Sequence, residues 1–435
     1  MTGPAEAPWM SRGYAWVVFA LSFGLLLSDY MSRQVLNAVF PLLKAEWLLS
    51  DAQLGSLSGI VALMVGVLTF PLSLLADRWG RVRSLVLAAV VWSLATLGCA
   101  ISASYGQMFW ARFMVGVGEA AYGSVGIAVV LSVFPATLRA TLSGAFIAGG
   151  AFGSVLGVSI GGVIAQHLGW RWTFGVMGIF GLVLAAVYGV VVSERKLAAA
   201  GAGPGAAPGA GGSVRTLLPR LFSSVSVLCA YAGSGLQMFL AMALLAWMPS
   251  YLDRYYGLPT DKAGLVAGVF ALITGIGMIG GGLVSDRLGR GNPHLKWSVA
   301  ACCSAGSLLL LAGGFQLPPG APQLILVGLG TLLCNATAGP AAAMVVSLTP
   351  AAVGATAMAT LTLANSLLGL APGPAVTGML ADRMGLHAAL RVIPLVALVA
   401  GLAFALGRRH YAKGLGSLPA VGPAALFAAR RSDSL

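Results

Sequence analysis

The sequence predicts an all-α polytopic membrane protein, with twelve transmembrane helices arranged as two pseudo-symmetric six-helix bundles. Hydrophobic residues make up 58% of its 435 residues and charged residues only 9%, whereas charged residues form about 25% of a soluble domain. The apolar runs are continuous and about 20 residues long, which fits helices and not the alternating strands of a β-barrel. A Gly/Ala/Pro-rich stretch then separates two similar halves.

The apolar runs place the helices at 14–40, 53–76, 84–103, 107–134, 140–166, 172–193, 221–251, 262–284, 296–315, 323–348, 353–380 and 388–407. Residues 195–220 are too rich in Gly, Ala and Pro to form a packed core, so we interpret them as a linker. The predicted domains are an N-terminus at 1–13, bundles at 14–194 and 221–407, the linker at 195–220, and a tail at 408–435.

The net charge is +13, and the basic residues behind it are divided unequally between the two predicted sides of the membrane. Of 25 Lys and Arg residues, seventeen fall in the termini, linker, loops or helix ends on the side of the termini, six fall in loops or helix ends on the other side, and two lie well inside helices. Basic loops stay on the cytoplasmic side of a membrane. We therefore expect both termini to be cytoplasmic, and we read the charge as an orientation signal and not as a nucleic-acid surface.

Each half has a charged turn after its second helix, and the two turns are similar in sequence. The segment from Ser73 to Arg83 reads SLLADRWGRVR, and that from Gly282 to Arg290 reads GLVSDRLGR. An Asp-Arg pair at the end of an apolar helix, a Gly that lets the chain reverse and a basic tail indicate a tight turn at the membrane surface. We interpret the turns as a conformational latch formed by Asp77, Arg78, Gly80, Arg81, Asp286, Arg287, Gly289 and Arg290. A third Asp-Arg pair, Asp382 and Arg383, is predicted on the opposite side.

The halves are predicted to be copies, because SVFPATLRAT at 132–141 is matched by SLTPAAVGAT at 347–356. Parallel repeats of this kind place a solute site at their interface, near the bilayer midplane. The repeat sets Cys334, beside Asn335, opposite Glu119, so the C-terminal half lacks the charge of its counterpart. Uncharged solute contacts are predicted at Gln237, Trp247, Asn335 and Asn365, with ordinary interhelical hydrogen bonds as the alternative.

Four charged residues lie well inside predicted helices, away from their ends: Asp29 and Arg33 in the first, Arg112 and Glu119 in the fourth. Each costs about 3 kcal/mol to insert, so such residues are functional candidates. We predict Glu119 as the first proton carrier and Asp29 as the second, with Arg33 and Arg112 giving the cavity the positive charge that holds a solute carboxylate or phosphate. The alternative is an ion-pair network that only fixes helix packing, Asp29 with Arg112 or Arg33 with Glu119.

One further candidate solute contact, Tyr122, lies one turn beyond Glu119. Its hydroxyl could donate a hydrogen bond to that carboxylate. A packing or interfacial role is the alternative reading, because tyrosine combines an apolar ring with a polar tip.

The charged turns and the twelve apolar segments resemble the major facilitator superfamily of secondary transporters. The segments DYMSR, RFMVGVGEAAYG and SVFPATLRAT resemble its spinster-like and anion:cation symporter subgroups. Ser32 stands where these subgroups often have Asp, and Val158 stands where drug/proton antiporters have Pro. The resemblance implies alternating-access transport of an organic anion or anionic amphiphile, coupled to protons. The alternatives are proton-driven export of drugs or lysolipids, and a transporter-like sensor that binds solute without moving it.

No P-loop, zinc spacing or nucleophile, base and acid set is present in the sequence. We therefore expect no enzyme, cofactor or metal site. The five cysteines fall in apolar segments and are read as packing residues. The expected partners are a small or lipid-like solute, protons and membrane lipids, and the expected form is a monomer in a bacterial cytoplasmic membrane.

Overall fold

The computed structural model describes residues 12–120, 122–134, 136–199, 224–290, 292, 294–349 and 354–416. Most of the predicted linker and tail, and nearly all of the predicted N-terminus, lie outside these residues. The N-terminal half contains α1 (Arg12–Trp47), α2 (Asp51–Trp79), α3 (Arg81–Ile101), α4 (Tyr105–Glu119), α5 (Tyr122–Val133), α6 (Ala136–Leu168), α7 (Trp170–Val191) and the short α8 (Glu194–Ala199).

The C-terminal half repeats this order. It contains α9 (Val225–Tyr256), α10 (Thr260–Gly289), α11 (His294–Gly314), α12 (Ala321–Asn335), α13 (Ala338–Ser347), α14 (Gly354–Asn365), a π-helical turn (Ser366–Leu370), α15 (Pro372–Met384), α16 (Leu386–Val392) and α17 (Leu395–Gly416).

Within the described residues, ten helical stretches are long and apolar enough to cross a membrane. Two further spans are each divided between two helices. The fourth span is α4 followed by α5, and the eleventh is α14, the π turn and α15. The predicted total of twelve transmembrane segments in two halves is confirmed, and their ends differ from the predicted ones by a few residues in most cases.

The eleventh span was predicted as one helix, and the structure breaks it at the π turn. Pro372 begins α15 and cannot donate a backbone hydrogen bond to the preceding turn. The amide of Ala371 bonds instead to the carbonyl of Ser366, five residues back. One extra residue is thereby inserted into the span, as π-helical bulges often do at functional sites.

Side-chain caps fix the starts of α2 and α3. Ser50 and Gln53 form a capping box at α2, in which each side chain bonds to the backbone of the other. At α3, Gly80 has a φ of +98°, and the Glu194 carboxylate accepts bonds from the amides of Arg81 and Val82 at 2.9 and 2.8 Å. The polar start of α2 and the charged turn before α3 are therefore held in place.

The halves meet mainly along two helix pairs, α2 with α15 and α6 with α10, with a smaller contact between α1 and α9. The closest approaches within these pairs lie toward one end of the bundle. We call it the far end, and it is the end at which α1 finishes at Trp47. We call the small residues there the glycine seam: Gly55, Gly59, Gly162, Gly264 and Gly268. A Cβ on Gly162 would lie 2.7 Å from the carbonyl oxygen of Thr260, so these backbones approach as closely as glycine allows.

Candidate functional site

A buried charge cluster joins α1 to α4 inside the N-terminal half. Arg33 Nη2 lies 2.8 Å from Glu119 Oε2, and Arg33 Nε donates to the same oxygen at 3.0 Å. Asp29 Oδ1 lies farther from the guanidinium, at 3.9 Å. The Glu119 side chain is fully buried, and those of Asp29 and Arg33 are 5% and 15% exposed. Arg33 with Glu119 is one of the two pairings the sequence left open.

Arg112 is also fully buried, but it bonds to main-chain oxygens. Its Nη1 and Nη2 donate to the carbonyls of Ser32 and Arg33 at 3.0 and 3.1 Å, and its Nε donates to Leu57 at 3.4 Å. Among the described residues Arg112 forms no ion pair within 4.0 Å. Because its three nitrogens tie α4 to α1 and α2, Arg112 positions the backbone that carries Arg33 and does not present a free guanidinium to solute.

The cluster holds more carboxylate than its one contacting guanidinium can balance. Arg33 pairs closely with Glu119, while Asp29 Oδ1 is buried without a hydrogen-bond partner among the described residues. Ser32 Oγ donates to the Asp29 carbonyl at 2.9 Å and approaches Glu119 Oε1 at 3.3 Å. An unpaired buried carboxylate is costly, and a bound proton removes that cost. The cluster therefore leaves one buried carboxylate, that of Asp29, without a close cation among the described residues.

Tyr122 does not reach Glu119. Its hydroxyl donates to the carbonyl of Ser22 at 2.5 Å, and its ring packs edge-to-face on Trp92. The predicted hydrogen bond to Glu119 is wrong, because the side chain turns toward α1 near Ser22 and is completely buried there. Tyr122 is a packing residue in this structure, the alternative that the sequence left open.

The C-terminal half carries amides where the N-terminal half carries carboxylates. Asp29 and Gln237 each precede the internal proline of their helix by twelve residues, Pro41 in α1 and Pro249 in α9. Both amide atoms of Gln237 are buried without a hydrogen-bond partner among the described residues. The equal spacing to the proline is the sequence signal that could have revealed this match.

The second match is between Glu119 and Asn335, which each end a helix of 15 residues. Helix ends therefore align Glu119 with Asn335, one residue beyond the predicted Cys334. Asn335 Nδ2 donates to the Thr331 carbonyl at 2.9 Å, and Cys334 Sγ to the Gln237 carbonyl at 3.1 Å. Like the Arg33–Glu119 pair in the first half, the bond of Cys334 to Gln237 joins the first and fourth spans of its own half, whereas the bond of Asn335 stays within its own helix.

The two remaining uncharged candidates lie in different surroundings. Trp247 Nε1 donates to the Pro374 carbonyl at 3.0 Å, and its ring packs on Phe40 at a centroid distance of 5.3 Å. Through Phe40, Trp247 thus takes part in the contact between the halves, and its role as a solute contact stays a prediction. Asn365 ends α14 at the π turn, and its Oδ1 is buried without a partner among the described residues.

A second charged cluster closes the far end, and we call it the far-end lock. The Asp51 carboxylate accepts hydrogen bonds from Arg254 Nη1 and Nη2 at 2.8 and 2.7 Å, and another from Lys44 Nζ at 2.5 Å. The Asp382 carboxylate accepts the amides of Asp51 and Ala52 at 2.7 and 2.9 Å. Asp51 and Lys44 belong to one half, Arg254 and Asp382 to the other. Sequence reasoning missed this lock, because its partners are about 200 and 330 residues apart.

The two predicted latch turns lie at the opposite end. Asp286 pairs with Lys296 of α11 at 3.2 Å, and the Lys296 stem packs on Gly289. Arg78, Arg287 and Arg290 are exposed and Arg81 is partly exposed. The side chain of Asp77 lies outside the described part of the chain. Within the described residues the ion pair of Asp286 stays inside its own half.

Twelve spans in two repeated halves, joined at one end and enclosing a buried charge cluster, define a membrane transporter of the two-bundle helical class. The chain belongs to the Major Facilitator Superfamily, whose family model matches residues 22–373. This family consists of transporters, so the prediction that the chain is not an enzyme is confirmed.

Relatives of known description support the same class. The chain is 24% identical over 270 residues to the hexuronate transporter of Bacillus subtilis, a match that spans 62% of this chain and 64% of that protein. It is 27% identical over 330 residues to the probable L-galactonate transporter of Escherichia coli, covering 73% and 72%. It is 26% identical over 395 residues to human protein spinster homolog 1, covering 86% and 74%.

Solved structures show the same fold. A bacterial homolog of the human lysosomal transporter Spinster, in an inward-facing and occupied conformation, superposes with a TM-score of 0.83 at 19% identity. The superposition covers 93% of this chain and 99% of that one. A D-xylose-proton symporter gives a TM-score of 0.71 at 19% identity, covering 91% and 97%.

Proposed function

We propose that the protein is a secondary transporter that moves an organic anion or anionic amphiphile by alternating access, in symport with protons. The observation that carries the proposal is the contact of one buried guanidinium, Arg33, with two carboxylates, Glu119 and Asp29. A guanidinium is the side chain best suited to bind a carboxylate or phosphate, since its donors match both oxygens of the anion.

Competition for Arg33 gives the coupling its mechanism. When a solute anion takes the place of Glu119 on Arg33, the Glu119 carboxylate loses its partner inside the protein. A buried carboxylate without a partner is so unfavourable that it takes up a proton. Anion and proton therefore enter together, and they leave together when Glu119 returns to Arg33. Asp29, with its unpartnered oxygen, is the second group able to hold the proton.

The amides of the other half complete the site in this proposal. Gln237 and Asn365 each have a buried amide atom that no described residue satisfies. Such groups suit hydrogen bonds to an uncharged part of the solute. Since amides do not titrate, the C-terminal half would bind solute without binding protons, and Asn335 would line the same side.

We infer the orientation and state from the charge distribution. With both termini in the cytoplasm of a bacterial cell, the far end faces outward, so the far-end lock closes the outer side and the cavity opens inward. The bundles at 14–194 and 221–407 then rock about the central site, connected by the linker at 195–220 and flanked by cytoplasmic segments at 1–13 and 408–435. The turns with Asp77, Arg78, Gly80 and Arg81, and with Asp286, Arg287, Gly289 and Arg290, would latch in the opposite state. We propose a monomer as the working unit.

A thermal-shift screen followed by flux tests the proposal. Purified protein is heated with organic acids, anionic amphiphiles, cationic drugs and neutral lysolipids, since a ligand at 100 times its Kd stabilises by about 2.7 kcal/mol. Stabilisation by an anionic class, and its proton-driven uptake into liposomes, is the expected result. Stabilisation by cationic or neutral amphiphiles alone would favour the exporter, which the similarity to spinster proteins keeps as second candidate. Binding without flux would indicate a sensor.

A further inference from the structure

A groove opens beside the turn between α2 and α3, at the end of the bundle away from the far-end lock. Its floor is a cavity of about 170 Å³ between α2, α3 and α4, lined mainly by apolar side chains such as Leu75, Val91 and Val117. Its mouth is a wider cavity of about 400 Å³ lined by Arg78, Trp79, Arg83 and Leu87. Trp79 and Leu87 line both cavities, so the mouth and the floor are continuous.

The mouth is positively charged and the floor is apolar. Arg78 and Arg83 are exposed, and within the described residues neither forms an ion pair. Trp79 and Leu87 are 56% and 51% exposed, although both are large apolar residues. The hydroxyl of Ser84, which lines the floor, is buried without a partner among the described residues. Together these features offer an anion two guanidinium groups and an attached hydrocarbon chain a place to lie.

We propose that this groove binds one anionic phospholipid of the surrounding membrane, with its phosphate at Arg78 and Arg83 and an acyl chain along the floor. The charge of the mouth complements the headgroup, and the floor complements the chain. A free phosphate would gain only the first interaction, and a neutral lipid only the second. The position also fits, since Trp and Arg at helix ends lie at the level of lipid headgroups.

The groove contains no residue of the central charge cluster, although Val117 and Gly118 of its floor directly precede Glu119, and it shares Arg78 with the proposed latch. Arg78 would bind the lipid in the state seen here and would leave it when the latch forms. Bound lipid would then shift the equilibrium toward the present state, by a factor equal to the ratio of its affinities for the two states. That consequence rests on the proposed function; the binding itself does not.

The test uses the full purified chain, stripped of lipid in detergent, and measures bound lipid by native mass spectrometry. Phosphatidylglycerol is compared with phosphatidylcholine of the same acyl chains. Each basic side chain at an anionic lipid surface contributes about 1 kcal/mol, so two arginines predict roughly a thirtyfold preference for phosphatidylglycerol. The double variant Arg78→Ala/Arg83→Ala should lose this preference, while the matched control Arg287→Ala/Arg290→Ala should keep it.

Two further arms separate the source of the anion and protect against misfolding. Glycerol phosphate, which lacks acyl chains, should not displace bound phosphatidylglycerol, and Ala88→Leu, which fills the floor, should weaken lipid binding with both arginines present. The single variant Arg83→Ala serves if the double variant does not fold. The proposal fails if the two lipids bind equally, if the control pair loses the preference too, if glycerol phosphate competes, or if Ala88→Leu changes nothing.

Discussion

Asp51→Asn should shift the protein from the state seen here toward one that is open at the far end. Arg254 donates two hydrogen bonds to the Asp51 carboxylate across the boundary between the halves, at 2.8 and 2.7 Å. The Asp51 side chain is 4% exposed and that of Arg254 is 24% exposed. Hydrogen bonds to charged groups contribute about 1.5 to 3 kcal/mol each. Asparagine keeps the shape and one acceptor, so we expect a loss of about 2 kcal/mol, or roughly thirtyfold in the equilibrium between states.

Spin labels across the far end can measure this shift. With labels at Leu168 of one half and Lys262 of the other, on a background without the five native cysteines, pulsed electron resonance should show a second, longer distance in Asp51→Asn. Arg254→Gln should behave similarly, and the double variant should add little, because both remove one interaction.

The matched control is Glu46→Gln, which breaks an ion pair to Arg171 of 2.7 Å at the same end but within the N-terminal half. It should leave the distance distribution unchanged, since the pair does not cross between halves. An unchanged distribution in Asp51→Asn, or an equal change in Glu46→Gln, would refute the assignment of the far-end lock.

Three further predictions concern the central site and the seam. Glu119→Gln should abolish proton-driven accumulation in liposomes while solute counterflow continues, and full accumulation in this variant would remove Glu119 as proton carrier. Arg33→Ala should weaken binding of an anionic solute at least tenfold more than that of a neutral analogue, measured by calorimetry; equal losses would make Arg33 structural. Gly162→Val should press on the Thr260 carbonyl and lengthen the spin-label distance described above, whereas an unaltered distance would show that the seam adapts to a side chain.

The fold could be predicted because the bilayer leaves few choices. Each span needs about 20 apolar residues with all its backbone bonds satisfied internally, so hydropathy alone gives the number and approximate ends of the spans. The π turn before Pro372 was not predicted, because a hydropathy window does not register how one missing amide is accommodated. Prolines are tolerated inside membrane helices, and their effect depends on the local neighbours.

The members of the charge cluster were predictable, and their pairing was not. Asp29, Arg33, Arg112 and Glu119 stood out because charge within a span is costly. Which acid meets Arg33 depends on the rotation and depth of α1 against α4, and these are set by packing over residues 86 positions apart. The same holds for Tyr122, because its side chain could turn toward Glu119 or toward α1 near Ser22. Arg112 bonds to backbone carbonyls, and such acceptors are present at every residue and so carry no sequence signal.

The glycine seam has a thermal consequence. Glycine and alanine lose no rotamer freedom when they are buried. Fixing an Arg or Lys side chain, in contrast, costs up to about 2 kcal/mol of free energy at 25 °C through lost conformational entropy. When the halves part, the glycines of the seam therefore release almost no side-chain entropy, whereas Arg254 regains rotamer freedom because its partner Asp51 belongs to the other half. Warming should then act on the balance between states more through Arg254 than through the seam. A chain whose lock has been removed should open with an equilibrium that depends less steeply on temperature.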